Sequence, residues 1–394
     1  MSAIRVVHAF TYFHALGGVS SILRRNWEGD ARHGIASQFL AFFEPDDHRA
    51  ERVRGLDLTW RNTIHQARQR FCQNLPSGAE VVTYSNVLGM PFFADLDGAS
   101  RRIGILHGPW PDQTKHVRSV RGFLDGVIAI SSQQMELAAR LLPELAAERV
   151  AFLPNPSGHD GFETQQPPLQ DRPLVVGYCG RVQREQKRVE RLPKLVDELN
   201  RAGVSYRFEL LGSGPGLAGL RRQFAGNPNV VLHDRRQGEE YWQVLRNWDV
   251  LVFVSDYEGV PISLIEGLSV GVIPLFPRIG SGVDAYVTRV KPDLLYPPGD
   301  LTAAARALQS LARLSEAELA ALRRRCGEIV QPHLGECDLA AMSAFVRRIR
   351  DLPQISCAAF PPRPFYWSDH CPFGLLRRLW PAGFWRGNLA PTNR

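Results

Sequence analysis

Two glutamates eight positions apart, Glu258 and Glu266, flank a Gly-Val-Pro in the segment SDYEGVPISLIEG, residues 255 to 267. The preceding run WDVLVFVS is apolar and rich in β-branched residues, which is typical of a buried strand in a parallel sheet. Pro261 is suited to the first position of a helix. The pattern therefore predicts Glu258 in a loop at the carboxyl end of a strand and Glu266 inside the following helix.

The predicted start of this helix is suited to binding an anion. The backbone N–H groups of Ile262, Ser263 and Leu264 should lack partners inside the helix and lie at the positive end of its dipole. Such a position at the carboxyl end of a strand commonly holds phosphate. The two carboxylates can accept hydrogen bonds from sugar hydroxyls. A nucleotide sugar carries both kinds of group and fits this spacing.

A basic cluster follows the first predicted strand of the C-terminal half. The segment GYCGRVQREQKRVERL places Arg181 and Lys187 just past the end of that strand. A planar guanidinium and a mobile ammonium can together neutralise a diphosphate. A solvated basic turn is the alternative, because surface charges often bind nothing specific. A later strand ends in the glycine loop LLGSGPG, 210 to 216, and a further motif, LLYPPGD, follows at 294 to 300.

Alternating strands and helices fill both halves of the chain. The strand candidates of the first half are IRVVHAF, ASQFLAFF, AEVVTYS, RRIGILHG and DGVIAIS, and those of the second are PLVVGYCG, YRFELLG, NVVLHD, DVLVFVS and GVIPLF. This alternation predicts an α/β protein with two doubly wound, Rossmann-like domains that face each other across a cleft. The expected boundaries are an N-terminal domain at 1–154, a linker at 155–173, a C-terminal domain at 174–350 and a tail at 351–394.

Composition indicates a soluble globular protein, with 394 residues, 44% hydrophobic and 22% charged. No apolar run reaches the length of a membrane span, and the first residues lack the pattern of a signal peptide, so we expect a cytoplasmic protein. Six scattered cysteines indicate reduced thiols. The DLD at 95 to 97 lies in a Gly-bearing turn, and we expect no required metal. The net charge of +7 suits anionic partners.

The order of four motifs carries a resemblance to a known family. The sequence GRVQREQK, then LLGSGPG, SDYEGVPISLIEG and LLYPPGD, resembles the C-terminal domain of glycosyltransferase family 4, which comprises retaining enzymes of the GT-B fold. The similar region covers about residues 150 to 315 and includes LPNPSG near the linker. A GT-B fold is what this resemblance implies.

The resemblance also implies roles for individual residues. Arg181 and Lys187 look like the pair that binds the donor pyrophosphate, Glu266 like the acid that binds the ribose, and Glu258 like the acid that contacts the transferred sugar. The backbone of four further residues would face the donor's hydroxyls or phosphate: Gly259, Val260, Pro261 and Ile262.

In the first half the resemblance rests on fewer residues. Gly17 and Gly18 match the family's glycine loop, and His107, in GILHGPW, is similar to a histidine that lies beneath the donor sugar. Two departures occur in the second half. Arg188 stands where the family commonly has glycine after the lysine, and RIGSGVDAYV, with Asp284, replaces a Gly-Gly that is followed by Glu.

Together these features imply a retaining glycosyltransferase of the hexosyltransferase type, which moves a sugar from a nucleoside diphosphate donor to a glycan, lipid-linked or other hydroxyl acceptor in bacterial glycan assembly. No cofactor is expected. The alternatives are a nucleotide-sugar epimerase of the same fold and a non-catalytic protein that binds nucleic acid or a partner, although no clustered Lys/Arg run supports nucleic acid. The aromatic and basic tail is expected to pack on the N-terminal domain; peripheral contact with an anionic membrane is the alternative.

Overall fold

The chain forms two compact units, which the computed structural model describes over most of their length. The first comprises Met1–Pro154 and Asp338–Arg394, and the second comprises Asn155–Cys337. The described residues are 3–14, 17–46, 52–85, 100–109, 113–164, 166, 168–169, 172–355 and 370–379. The chain therefore leaves the first unit, builds the whole of the second, and returns to the first.

The first unit is built on a parallel sheet of seven strands in the order β3-β2-β1-β4-β5-β6-β7. Its strands are β1 Ile4–Phe10, β2 Ile35–Ala41, β3 Val53–Gly55, β4 Val81–Tyr84, β5 Arg101–Leu106, β6 Gly126–Ala129 and β7 Val150–Phe152. Within the described residues, these strands are connected by the helices α1 Gly18–Gly29, α2 Ile64–Asn74, α3 Gln113–Ser119 and α4 Ser132–Leu141. The central strands β4, β5 and β6 are buried on both faces, which explains their nearly continuous apolar sequences.

The second unit has a parallel sheet of six strands in the order β10-β9-β8-β11-β12-β13. Its strands are β8 Leu174–Cys179, β9 Tyr206–Leu211, β10 Val230–His233, β11 Val250–Val252, β12 Ile273–Pro277 and β13 Leu295–Tyr296. Its helices are α5 Arg191–Arg201, α6 Leu217–Gln223, α7 Glu239–Arg246, α8 Ile262–Ser269, α9 Gly282–Val290, α10 Leu301–Ala312 and α11 Glu316–Val330. The strand order reverses between β8 and β11, and ligands of such sheets bind at this point.

Two further helices of the described chain, α12 Cys337–Asp351 and α13 Phe373–Leu379, belong to the first unit. The sequence instead places residues up to 350 in the C-terminal domain. In the structure Asp338 pairs with Arg25 at 3.2 Å, and Ser343 Oγ donates to the carbonyl of His33 at 2.7 Å. The second unit therefore ends at Cys337, because the apolar face of α12 covers the first sheet.

The described part of the tail also packs on the first unit. Phe373 is fully buried in that unit's core together with Leu376, and its N–H donates to the carbonyl of Asn62 at 2.9 Å. The rest of the tail, and the DLD at 95 to 97, lie outside the described residues. Membrane contact through the tail therefore stays a prediction. Within the described chain, no helix has both the length and the apolar character needed to cross a bilayer.

The prediction of two doubly wound parallel sheets is confirmed, and all ten strand candidates appear as strands. Three edge strands, β3, β7 and β13, were missed. Each has only two or three residues, which is too short for an alternating or continuous apolar pattern to stand out.

Candidate functional site

An ion pair lies at the switch point of the second sheet, between the loop after β8 and the loop after β11. Lys187 Nζ is 2.6 Å from Glu258 Oε1, and the two side chains are only 12% and 5% exposed. The sequence predicted both residues at the carboxyl ends of their strands but assigned them to different parts of a ligand. Their direct contact was missed, because it requires β8 and β11 to be neighbours in the sheet.

The carboxylate of Glu258 accepts hydrogen bonds on both oxygens. Ser255 Oγ donates to Oε1 at 2.6 Å, and Gln186 Nε2 donates to Oε2 at 3.3 Å. With Lys187, three donors surround one buried charge, which compensates much of the free energy lost on removing it from water.

Gln186 connects this pair to the second predicted cation. Arg181 Nη2 donates to Gln186 Oε1 at 3.2 Å, while Gln186 Nε2 also donates to the carbonyl of Tyr257 at 3.1 Å. One amide thus spans the two loops and joins Arg181, Lys187 and Glu258 into a single network. Sequence reasoning missed Gln186, whose only signal is its position beside Lys187.

The glycine loop predicted after β9 supports the loop that carries Arg181. A Cβ on Gly212 would lie 2.0 Å from the carbonyl oxygen of Gly180, and one on Gly214, where φ is +149°, would lie 2.5 Å from that of Val182. Val182 N–H donates to the carbonyl of Ser213 at 2.8 Å. These glycines therefore serve a close approach of two backbones, in addition to turning the chain.

Helix α8 begins at Ile262, one residue later than predicted. Pro261 is the residue before the helix, with an extended ψ of 134°. Leu264 N–H donates to the Pro261 carbonyl at 3.1 Å, so the prediction that this donor is unpaired is wrong. The N–H groups of Ile262 and Ser263 donate to no residue that the structure describes, and they remain available to an anion.

The turn before α8 is fixed by the start of the second unit. Asn155 Nδ2 donates to the carbonyl of Val260 at 2.8 Å, and His333 Nδ1 lies 2.5 Å from the carbonyl of Asn155. Val260 is buried, while Gly259 and Pro261 on either side are half-buried. The Asn of LPNPSG thus holds the backbone that leads into the helix.

Glu266 lies within α8 and accepts a hydrogen bond of 2.5 Å from the hydroxyl of Tyr241 on α7. Burial raises the pKa of Glu266 to about 7, and this hydrogen bond partly opposes the shift. The same hydroxyl lies 3.6 Å from Cys179 Sγ at the end of β8. Burial raises the pKa of the Cys179 thiol to about 12, so this thiol is protonated and a poor nucleophile.

Three predicted site residues lie in the first unit. Gly17 directly precedes α1, whose first residue is Gly18, and a Cβ on Gly17 would meet no atom within 4 Å. His107 follows β5 and is 8% exposed, and burial lowers its pKa to about 4. Its imidazole is therefore neutral at physiological pH. His107 Nε2 has no hydrogen-bond partner in the part of the chain that the structure describes.

The structure thus divides the predicted residues between the units. Gly17, Gly18 and His107 belong to the first, and the second holds Arg181, Lys187, Glu258, Gly259, Val260, Pro261, Ile262 and Glu266. Among the described residues, no group of three or more His, Cys, Asp or Glu side chains could hold a metal ion, and no disulfide joins two of the five described cysteines.

Comparison with known proteins finds a family model that matches most of the second unit. Residues 173–313 match the family model for "Glycosyl transferases group 1". The chain is 31% identical over 143 residues to the putative colanic acid biosynthesis glycosyltransferase WcaL of Escherichia coli (strain K12), which is 34% of this chain and 35% of that protein. It is 29% identical over 206 residues to the lipopolysaccharide 1,6-galactosyltransferase of Salmonella typhimurium (strain LT2), which is 48% and 54%. The match thus spans about a third to a half of the length of these relatives.

A solved structure extends the likeness to both units. Sucrose-phosphate synthase from Thermosynechococcus elongatus superposes with a TM-score of 0.69 at 18% identity, over 88% of this chain and 98% of that one. This likeness shows the fold, and it confirms the GT-B expectation. The segment 173–313, which contains Arg181, Lys187, Glu258 and Glu266, therefore matches the glycosyl transferases group 1 model within a chain of the GT-B fold.

Proposed function

We propose that the protein is a retaining glycosyltransferase, which transfers a hexose from a nucleoside diphosphate sugar to a hydroxyl of a glycan or lipid-linked acceptor. The observation that carries this proposal is the network of Arg181, Gln186, Lys187 and Glu258 beside the start of α8. It places cations, a carboxylate and free backbone donors within a group 1 domain.

In this proposal the donor's diphosphate binds between Arg181 and the N–H groups of Ile262 and Ser263. Lys187 keeps two further N–H donors beyond the one directed at Glu258, so it can bind phosphate while the ion pair persists. Glu258 then contacts the sugar and Glu266 the ribose. For the first unit, a role of His107 at the sugar and of Gly17 and Gly18 at the phosphate stays a prediction from the sequence.

Catalysis then consists of stabilising charge on the leaving group. As the bond between the anomeric carbon and the phosphate oxygen breaks, Arg181 and Lys187 neutralise the negative charge that gathers on the departing diphosphate. The acceptor oxygen forms its bond to the anomeric carbon on the same face, and its proton passes to a departing phosphate oxygen. These two cations supply the charge that a metal ion would otherwise provide, so the proposed reaction requires no metal.

The relatives support a biological setting. One is named for colanic acid biosynthesis and another for lipopolysaccharide, so we assign the protein to the assembly of a bacterial surface glycan in the cytoplasm.

Calorimetry and thermal-shift measurements with UDP, GDP, ADP and their common sugars, with and without EDTA, test the proposal. We expect one nucleoside diphosphate to raise the melting temperature. EDTA should leave the shift unchanged, and Glu266→Ala should abolish it. Glu185→Ala, which removes an exposed acid next to the network, is the matched control and should behave as wild type. Absence of binding to all three nucleotides overturns the proposal. Conversion of the donor sugar to an epimer without acceptor would instead identify the epimerase alternative.

A further inference from the structure

The two oxygens of Glu266 have different surroundings. Oε2 accepts the hydroxyl proton of Tyr241 at 2.5 Å, whereas Oε1 receives no hydrogen bond from any residue that the structure describes. Some of the side chain remains accessible to solvent. A carboxyl group held on one oxygen and open on the other presents a single acceptor in a fixed direction.

Tyr241 is itself held in place from two sides. Its ring meets that of Trp242 edge to face, with centroids 5.3 Å apart, and its hydroxyl lies 3.6 Å from Cys179 Sγ. Burial keeps both the thiol and the phenol protonated. The phenol has one proton, which goes to the carboxyl group as the stronger acceptor, so the thiol donates to the phenol oxygen. A directed chain therefore runs from Cys179 through Tyr241 to Glu266.

We propose that Tyr241 is a positioning residue of the donor site, whose hydroxyl orients Glu266 so that Oε1 accepts a hydrogen bond from a ribose hydroxyl of a nucleoside diphosphate. This inference rests on the proposed function and adds to it a determinant of specificity. Tyr241 itself does not contact the ligand. A site with a preoriented acceptor rejects a ligand that lacks the matching hydroxyl more strongly than a loose one does, so this arrangement favours ribonucleotides over deoxyribonucleotides.

A purely structural role makes a different prediction. The ring of Tyr241 fills space beside Trp242 whether or not the hydroxyl is present. If the hydroxyl only supported the packing of α7, its removal would lower the affinities for ribonucleotides and for deoxyribonucleotides by the same factor. The ratio of the two affinities therefore separates the two roles, because a loss of folding stability does not change it.

The experiment uses the full chain and calorimetry. UDP, GDP and ADP are screened against the wild type, and the one that binds is compared with its 2′-deoxy and 3′-deoxy forms. Tyr241→Phe keeps the ring and removes the hydroxyl. The control is Tyr206→Phe, which removes a hydroxyl that donates to Asn200 Oδ1 at 2.9 Å. Tyr206 lies at the amino end of β9, whereas the donor site lies at the carboxyl ends of the strands. Tyr241→Phe should lower the affinity for the ribonucleotide by about tenfold. It should lower the affinity for at least one of the deoxynucleotides far less. The control should keep the wild-type ratio.

Three results would overturn the inference. If Tyr241→Phe binds the ribonucleotide with unchanged affinity, the hydroxyl has no role in the donor site. An equal loss for ribonucleotide and deoxynucleotides assigns it a structural role. A wild type that binds none of the three nucleotides overturns the proposed function, and this inference with it.

A double-mutant cycle supplies a second measurement: in a Glu266→Gln background, Tyr241→Phe should cause no further loss of affinity. If Tyr241→Phe does not fold, Cys179→Ala should lower the same ratio, and an unchanged ratio there counts against the chain of three residues.

Discussion

Lys187 and Glu258, whose charged atoms lie 2.6 Å apart, join the loop after β8 to the loop after β11. Neither side chain has enough contact with water to stand alone as a charge. Glu258 offsets part of the charge of Lys187, so Arg181 and the start of α8 add to the positive potential that Lys187 offers an anion. Each loop therefore depends on the other for its conformation.

Loss of one partner of this pair should destabilise the protein. Lys187→Met removes the cation and leaves the Glu258 carboxylate buried, which should lower the free energy of unfolding by about 3 kcal/mol. The double variant Lys187→Met/Glu258→Gln should lose less than the sum of the two single changes. Urea denaturation measures all three. The exposed Lys194 provides the control, since Lys194→Met should change stability by less than about 0.5 kcal/mol. Additive single effects would contradict the coupling.

Glu266 should make stability depend on pH in the direction opposite to an ordinary salt-bridged acid. Its pKa is about 7 in the folded protein against 4.5 in an unfolded chain. Between these values the unfolded state has released a proton that the folded state retains, so stability falls as pH rises from 4.5 to 7. Glu266→Gln removes this loss. It should be more stable than wild type at pH 8 and equal to it at pH 4. Parallel stability curves for the two proteins across this range would contradict the shift.

His107 should remain neutral well below the usual range for histidine. Burial lowers its pKa from 6.5 to about 4, so its ring should titrate in NMR spectra with a midpoint far below 6.5. The unfolded chain takes up a proton near pH 6.5 that the folded state refuses until about pH 4. Stability is therefore lost as pH falls through this window, and His107→Gln should reduce the loss. A midpoint near 6.5 would show that the ring is open to water.

Substitution by alanine should change stability in opposite directions at two glycines, Gly212 and Gly219. Gly212→Ala places a Cβ 2.0 Å from the Gly180 carbonyl, so the backbone must move, and we expect a loss of about 1–3 kcal/mol together with weaker nucleotide binding through Arg181. Gly219→Ala lies in α6 with no atom within 4 Å of the new Cβ. It should add about 0.5–1 kcal/mol. Thermal unfolding compares the two, and equal effects would rule out the close approach as the reason for glycine.

The sequence predicted what depends on neighbouring residues along the chain. The apolar runs marked ten strands, and the ends of those strands located Arg181, Lys187, Glu258 and Glu266. It could not predict contacts between loops that only the strand order brings together. Gln186 meets Glu258 because β8 lies beside β11, and Tyr241 on α7 meets Glu266 on α8 although 25 positions separate them.

The assignment of α12 to the C-terminal domain, which the structure corrects, has a similar cause. An amphipathic helix carries an apolar face whichever sheet it covers, so the pattern of α12 indicates a helix without naming its partner. Its destination is set by particular contacts such as Arg25 with Asp338, which lie 313 positions apart. Such pairing leaves no periodic trace in the sequence.

The return of the chain to the first unit has a consequence for synthesis on the ribosome. The buried carboxylate of Asp125 accepts hydrogen bonds from the N–H groups of Arg102, at 2.9 Å, and Ile355, at 2.8 Å. Ile355 is translated only after every residue of the second unit has been made. The second unit is a single segment of the chain and can fold as soon as it has been synthesised. The first unit, although most of it is made earlier, cannot complete its fold until the residues after 337 have been added. A nascent chain halted before residue 338 would carry a complete second unit and an incomplete first unit.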